Sequence, residues 1–208
     1  AGRRLLCRVL ATNAGGTTAI NGGAITTTGN QTYNDAVTVG ANATLNAGAG
    51  NVTLAQTVTG TVGLTVSSSG TTTLGGAVSL ANLTTNLGGT TAINGGTVTT
   101  TGNQSYGDAV TLGADTTLTG VDVNLASTVN GAFGLTVNGS GTTTFGGIVG
   151  GTTALTSLTT DAPGSTVINT TDIKTIDTQT YSDPVSLASN TTLTGSTITT
   201  LQTLAALP

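Results

Sequence analysis

The feature that most constrains this chain is that it repeats itself. Residues 15–47, GGTTAINGGAITTTGNQTYNDAVTVGANATLNA, return at 88–120 as GGTTAINGGTVTTTGNQSYGDAVTLGADTTLTG, identical at 24 of 33 positions with an offset of 73. A third, more diverged copy runs from Gly164, with Ile168-Asn169 matching Ile20-Asn21 and TYSDPVSLASNTTLTG matching TYNDAVTVGANATLNA. Further on, residues 52–78 reappear at 123–149 with an offset of 71, and LTTN at 83 returns as LTTD at 158 with an offset of 75. Self-similarity of this length points to an array in which one supersecondary unit stacks on the next. The changes of offset mark loops, because exposed backbone tolerates insertions that paired strands do not. Two residues are lost between Asn46 and Val52, and four are gained between Val78 and Leu83. The units are therefore 15–87, 88–162 and a partial 163–208, preceded by residues 1–14. An array that breaks off inside a unit leads us to expect a longer parent protein.

Within each unit the pattern has period two. Val37-Thr38-Val39, Val52-Thr53-Leu54, Leu64-Thr65-Val66, Val110-Thr111-Leu112 and Val185-Ser186-Leu187 each place one polar residue between two apolar ones. That is the pattern of short strands with one buried face, and Val and Thr favour the pleated backbone. Val37, Val39, Val52, Leu54, Leu64 and Val66 are expected inward, with the intervening Thr outward. Clusters such as Asn21-Gly22-Gly23 and Gly75-Gly76 punctuate the strands and supply positive-φ turns. A sandwich would need larger core residues, and the chain has two Phe and three Tyr. The pattern predicts an all-β parallel solenoid from about residue 15 to the C-terminus. Each unit should contain three or four coils of about 18 to 24 residues, on the strand lengths and turns involved. About 9 to 11 coils would make a rod roughly 45 to 50 Å long at the stacked-strand spacing.

Composition narrows the chemistry. Of 208 residues, 52 are Thr and 32 Gly, against 4 Lys+Arg, 8 acidic residues that are all Asp, and no His, Met or Trp. A Ser/His/Asp triad, a His-ligated metal and a Glu-based acid/base pair are thereby excluded, and the expected function is not enzymatic. Cys7 is the single cysteine, so no internal disulfide or thiolate metal site can form. Beyond Arg8 the one cation is Lys174, which leaves no basic surface for nucleic acid. No apolar run of about 18 residues is present to span a membrane as a helix. Disorder fits poorly, since β-branched residues abound and only three prolines occur.

The segments GGTTAINGG, TGNQTYNDAVTVGANATL and GLTVSSSGTTTLGG resemble the repeats of large secreted bacterial adhesins of the filamentous-haemagglutinin and autotransporter-passenger type. The resemblance covers residues 15 to about 200. It implies a right-handed parallel β-helix at the cell surface of a Gram-negative bacterium, a shaft that presents binding regions to a host or surface receptor. Adjacent repeats or copies of the chain joined end to end are the other expected partners, because a solenoid terminus leaves unpaired strand groups and an open aliphatic core. An ice-binding, Thr-rich solenoid is the alternative reading.

Candidate sites are few. All three tyrosines fall at one repeat position, in Tyr33-Asn34-Asp35, Tyr106-Gly107-Asp108 and Tyr181-Ser182-Asp183. Tyr-x-Asp could be a sugar-binding or catalytic element. The plainer reading is a turn, with the carboxylate accepting backbone N–H groups before the next strand and the ring covering it. Copies three or four coils apart would stand about 14 to 19 Å from one another on one stack, beyond the roughly 5 to 9.5 Å of a working carboxylate pair. Two of Asp35, Asp108, Asp115, Asp122 and Asp183 within about 7 Å around a deep cleft would reopen glycoside chemistry. No Gly-Gly-x-Gly-x-Asp run of the calcium β-roll type occurs, and Asn-x-Ser/Thr triplets such as Asn42-Ala43-Thr44 are what this composition yields. The pairs Thr26/Thr28, Thr71/Thr73, Thr99/Thr101 and Thr142/Thr144 would support ice binding if they formed one flat, regular face. No catalytic, cofactor-binding or metal residue is expected. The first residues, AGRRLLCRVLAT, hold all three arginines and Cys7. They are expected to act as a cap, a processing remnant or a subunit contact, with Leu5, Leu6, Val9 and Leu10 covering an apolar end.

Overall fold

In the computed structural model, which describes residues 7–206, every strand pairing is parallel and no helix occurs among the described residues. The strands stack into three faces of a solenoid. Face I begins at Thr17–Ile20 and contains ten strands, ending at Thr197–Thr200. Face II also has ten, from Gly23–Thr26 to Leu204–Ala206. Face III runs through seven strands from Leu10–Ala11 to Val129–Asn130. Single bridges at Val149 then carry it to Asp172–Lys174 and Thr192–Thr194. The chain visits the faces in the order I, II, III and returns to I after 19 residues (Thr17 to Ala36) to 23 residues (Leu135 to Leu158), so it forms about ten coils.

The alternation carries through to packing. Val37, Val39, Val52, Leu54, Leu64 and Val66 are all buried, while Thr38 is exposed and Thr53 and Thr65 are half-buried. The core is a narrow aliphatic column that also takes in the three tyrosines and Phe145, all buried. Corners are tight because backbone lies on backbone. A side chain at Gly50 would collide with the backbone of Gly29 one coil below, and one at Gly95 would collide with Gly76. Among the described residues positive φ is confined to glycine, as at Gly48 (φ 57°) and Gly96 (φ 71°). Both predicted length changes fall outside regular pairing: a register irregularity lies at Asn46/Gly48, and residues 150–157 form an irregular excursion. Residues 1–6 lie outside the described residues, so the expected roles of Leu5 and Leu6 do too. Leu10–Ala11 pairs with Gln31–Tyr33, Leu10 packs against the core and Val9 is exposed.

One expectation is corrected. A unit spans neither three coils nor four. Thr17–Ile20 lies on face I, and its repeat partner Thr90–Ile93 lies eleven strands further along, on face III. Eleven strands at three per coil are three coils and two strands, so each unit enters the stack one face out of phase with its predecessor. Ser165–Ile168, the third copy, accordingly falls on face II.

Candidate functional site

The phase slip separates the three Tyr-x-Asp copies. Tyr33 is on face III, Tyr106 on face II and Tyr181 on face I. The single stack assumed for them in sequence does not exist. All three rings are buried inside the solenoid rather than laid over a turn. Each hydroxyl donates to the glutamine two residues earlier: Tyr33 to Gln31 Oε1 at 3.0 Å, Tyr106 to Gln104 at 2.8 Å and Tyr181 to Gln179 at 2.9 Å. Burial pushes the Tyr33 phenol up to about 12 and the other two higher still, so all three are held as O–H donors.

The glutamine is the part that sequence reasoning missed. Gln104 Nε2 donates to Val98 O at 3.0 Å, on the preceding face of its own coil, and to Thr119 O at 2.8 Å, on the same face of the next coil. Gln31 repeats this with Ile25 O and Asn46 O, and Gln179 with Ile173 O and Thr194 O. One amide thus ties two successive coils at a corner and satisfies carbonyls turned inward there. The signal was available, because QTYND, QSYGD and QTYSD keep Gln and Tyr at fixed spacing in all three copies.

The aspartate ties the corner to the coil below. Asp35 accepts from Gly16 N at 3.3 Å and Thr18 Oγ1 at 3.2 Å, and Asp108 from Gly89 N at 2.9 Å and Thr91 Oγ1 at 3.2 Å. The expected acceptance of backbone N–H is present, but from about 19 residues away rather than within a local turn. Burial raises the Asp108 carboxyl above its ordinary value of 3.8, against the opposing pull of Gly89 N–H and the Thr91 hydroxyl. Asp183 receives only Thr166 Oγ1, at 3.0 Å. Its carboxyl is raised by burial, lowered by Thr166 and raised again by Asp161. Asp161 was not among the five carboxylates picked out in sequence, and it is the one that adjoins Asp183.

The sequence-picked Thr-x-Thr pairs scatter. Thr26, Thr142 and Thr144 are on face II, Thr71 and Thr73 on face III, and Thr99 on face I. Other threonines nevertheless align on face I. Thr97, Thr117, Thr136, Thr159, Thr180 and Thr199 form one file across six consecutive coils. A neighbouring file holds Thr38, Thr59, Ser79, Thr99, Thr119 and Asn138. Adjacent members lie about 4.8 Å apart along the rod, and the files about 6.6 Å apart across it. No spacing in the sequence reveals these files, because the register steps of 19 to 23 residues vary from coil to coil.

A depression beside Asp35 measures about 250 Å³ and one beside Arg8 and Gly29 about 400 Å³. Among the described residues, no three His, Cys, Asp or Glu side chains group as a metal cluster, and no helix is long and apolar enough to cross a membrane. Comparison with protein-family models, curated proteins and solved structures returned no match.

Proposed function

We propose that the chain is part of a non-catalytic, secreted shaft on a bacterial surface, a right-handed solenoid whose repeats hold adhesive regions away from the cell. The observation that carries this reading is the phase slip. Because a unit is three coils and two strands, each feature of the repeat is turned onto a new face in successive units. Such an array spreads its contacts around the rod and favours uniform mechanical support over a single binding plane. End-to-end continuation, by further repeats or by a second copy, would cover Ile198 and Leu204 on the last strands and Leu201 in the bend between them, all exposed. The test is deletion of the parent gene in the source bacterium, with surface labelling of the protein. Surface exposure with loss of attachment is expected, and an intracellular protein would overturn the reading.

The face I threonine files favour a second reading, an ice-binding plane. Where the files run side by side, Thr97/Thr99 and Thr117/Thr119 set hydroxyls and methyls in a double row that could order water. Thermal hysteresis of the purified chain, lost when Thr117, Thr136 and Thr159 are replaced by Lys, would select this function over the shaft.

A further inference from the structure

We infer that the third corner is a cation site, built by Asp161 and Asp183 with backbone carbonyls of the coil below and suited to calcium. In the first two corners both carboxylate oxygens are engaged, one by a glycine N–H and one by a threonine hydroxyl. In the third the threonine bond survives, but Asp183 Oδ1 has no donor although the residue is fully buried. Asp161 Oδ1 is likewise buried without a partner. The two are neighbours by register, since Thr160 pairs with Tyr181 and each aspartate follows closely.

Backbone oxygens of the coil below lie at the same place. Gly164 has no side chain, and the point where its Cβ would lie abuts Gly139 O, is 2.8 Å from Gly141 O and is 3.4 Å from Asp183 Oδ1. Carbonyl and carboxylate oxygens without nitrogen or sulfur ligands are the donor set of a hard cation, and calcium accepts irregular arrangements of them. The unpartnered, fully buried Asp183 oxygen points to a ligand independently of the two-carboxylate cluster, because an isolated buried acceptor is costly and in native proteins signals a water or an ion. The corresponding residue of the second unit is neutral: Asn86 follows Thr85, which pairs with Tyr106. The charge that makes the third corner different is thus a substitution within the repeat. The donors belong to a corner rather than to a Gly-Gly-x-Gly-x-Asp run, which is why the sequence carried no calcium signal.

Two carboxylates imply weak binding, with Kd on the order of 10⁻⁴ to 10⁻³ M as for extracellular calcium modules. The experiment compares thermal unfolding of the 208-residue chain in EDTA and in 10 mM calcium, with isothermal titration calorimetry of calcium alone. The unsubstituted chain should melt higher in calcium and bind one ion. Asp183→Asn and Asp161→Asn should each weaken binding at least tenfold, while Asp108→Asn, at a corner with both oxygens satisfied, should leave it unchanged. Asp183→Asn should also melt higher than the unsubstituted chain in EDTA, since its amide can donate to the neighbouring carbonyls, so loss of binding will not be confused with loss of fold. Absence of any calcium response, or a response that survives Asp161→Asn, overturns the proposal.

Discussion

The corners around Tyr106 and Tyr181 are the same device with one difference. In both, glutamine ties its coil to the one above and tyrosine orients the glutamine. Asp108 is matched on both oxygens, with neutral Asn86 at the neighbouring register position. Asp183 lacks one donor and faces Asp161. The comparison separates two roles that one repeat position can serve: the Gln-Tyr half holds the coil shape, and the aspartate half is free to diverge once a fold is secure.

The strongest way to break that comparison is to remove the shared half. Tyr106→Ala and Tyr181→Ala should each lower stability by about 3–5 kcal/mol, as for other buried aromatics, measured by urea unfolding. Similar losses are expected at both sites, and a small loss at either would show that the rings are not equivalent core elements. The divergent half should respond unequally. Asp108→Ala strands the Gly89 N–H and the Thr91 hydroxyl and should cost about 1–3 kcal/mol. Asp183→Ala in EDTA strands one hydroxyl while relieving repulsion, and should cost less than about 1 kcal/mol.

Exchanging the neighbours sharpens the contrast further. Asn86→Asp brings a like charge to Asp108 and should destabilise by on the order of 1 kcal/mol, on Coulomb's law near a protein surface. Denaturant melts at low salt would reveal it, and an unchanged midpoint would remove the electrostatic account of the third corner. Acidity probes Asp108 directly. Its folded carboxyl lies above the ordinary 3.8, so between those values the folded state holds more protons than the unfolded one, and stability falls as pH rises from about 4. Melts across that range should show this slope, and Asp108→Asn should reduce it, the remainder coming from Asp161 and Asp183, whose carboxyls burial also raises. The smallest effect concerns paired and unpaired hydroxyls. Thr72 Oγ1 is buried without a partner, whereas Thr91 serves Asp108. Thr72→Val should therefore be neutral or stabilising by up to about 1 kcal/mol, and Thr91→Val destabilising by about the same.

Much of the fold was legible because alternation is local. Val37-Thr38-Val39 reports which side of a strand is dry without knowledge of what lies above it. The candidate site was legible only in part. Tyr and Asp stood out by rarity and repetition, and acceptance of backbone N–H by Asp108 was anticipated. Gln104 was overlooked because its partners, Val98 O and Thr119 O, are carbonyls brought to it by a turn and by the next coil. Asp161 was overlooked because its neighbour Asp183 is 22 positions distant and meets it only through register.

The amino-acid sequence by itself determined that this chain is a repeated, all-β stack of short strands with an aliphatic interior and little ionisable chemistry, since those properties depend on period two, composition and self-similarity. Tertiary structure alone decided which copies share a face. Residue offsets count positions along the chain, whereas face and register depend on how many residues each corner consumes. That number varies from coil to coil, so a 73-residue repeat becomes eleven strands, three buried corners become three different faces, and scattered threonines become two aligned files.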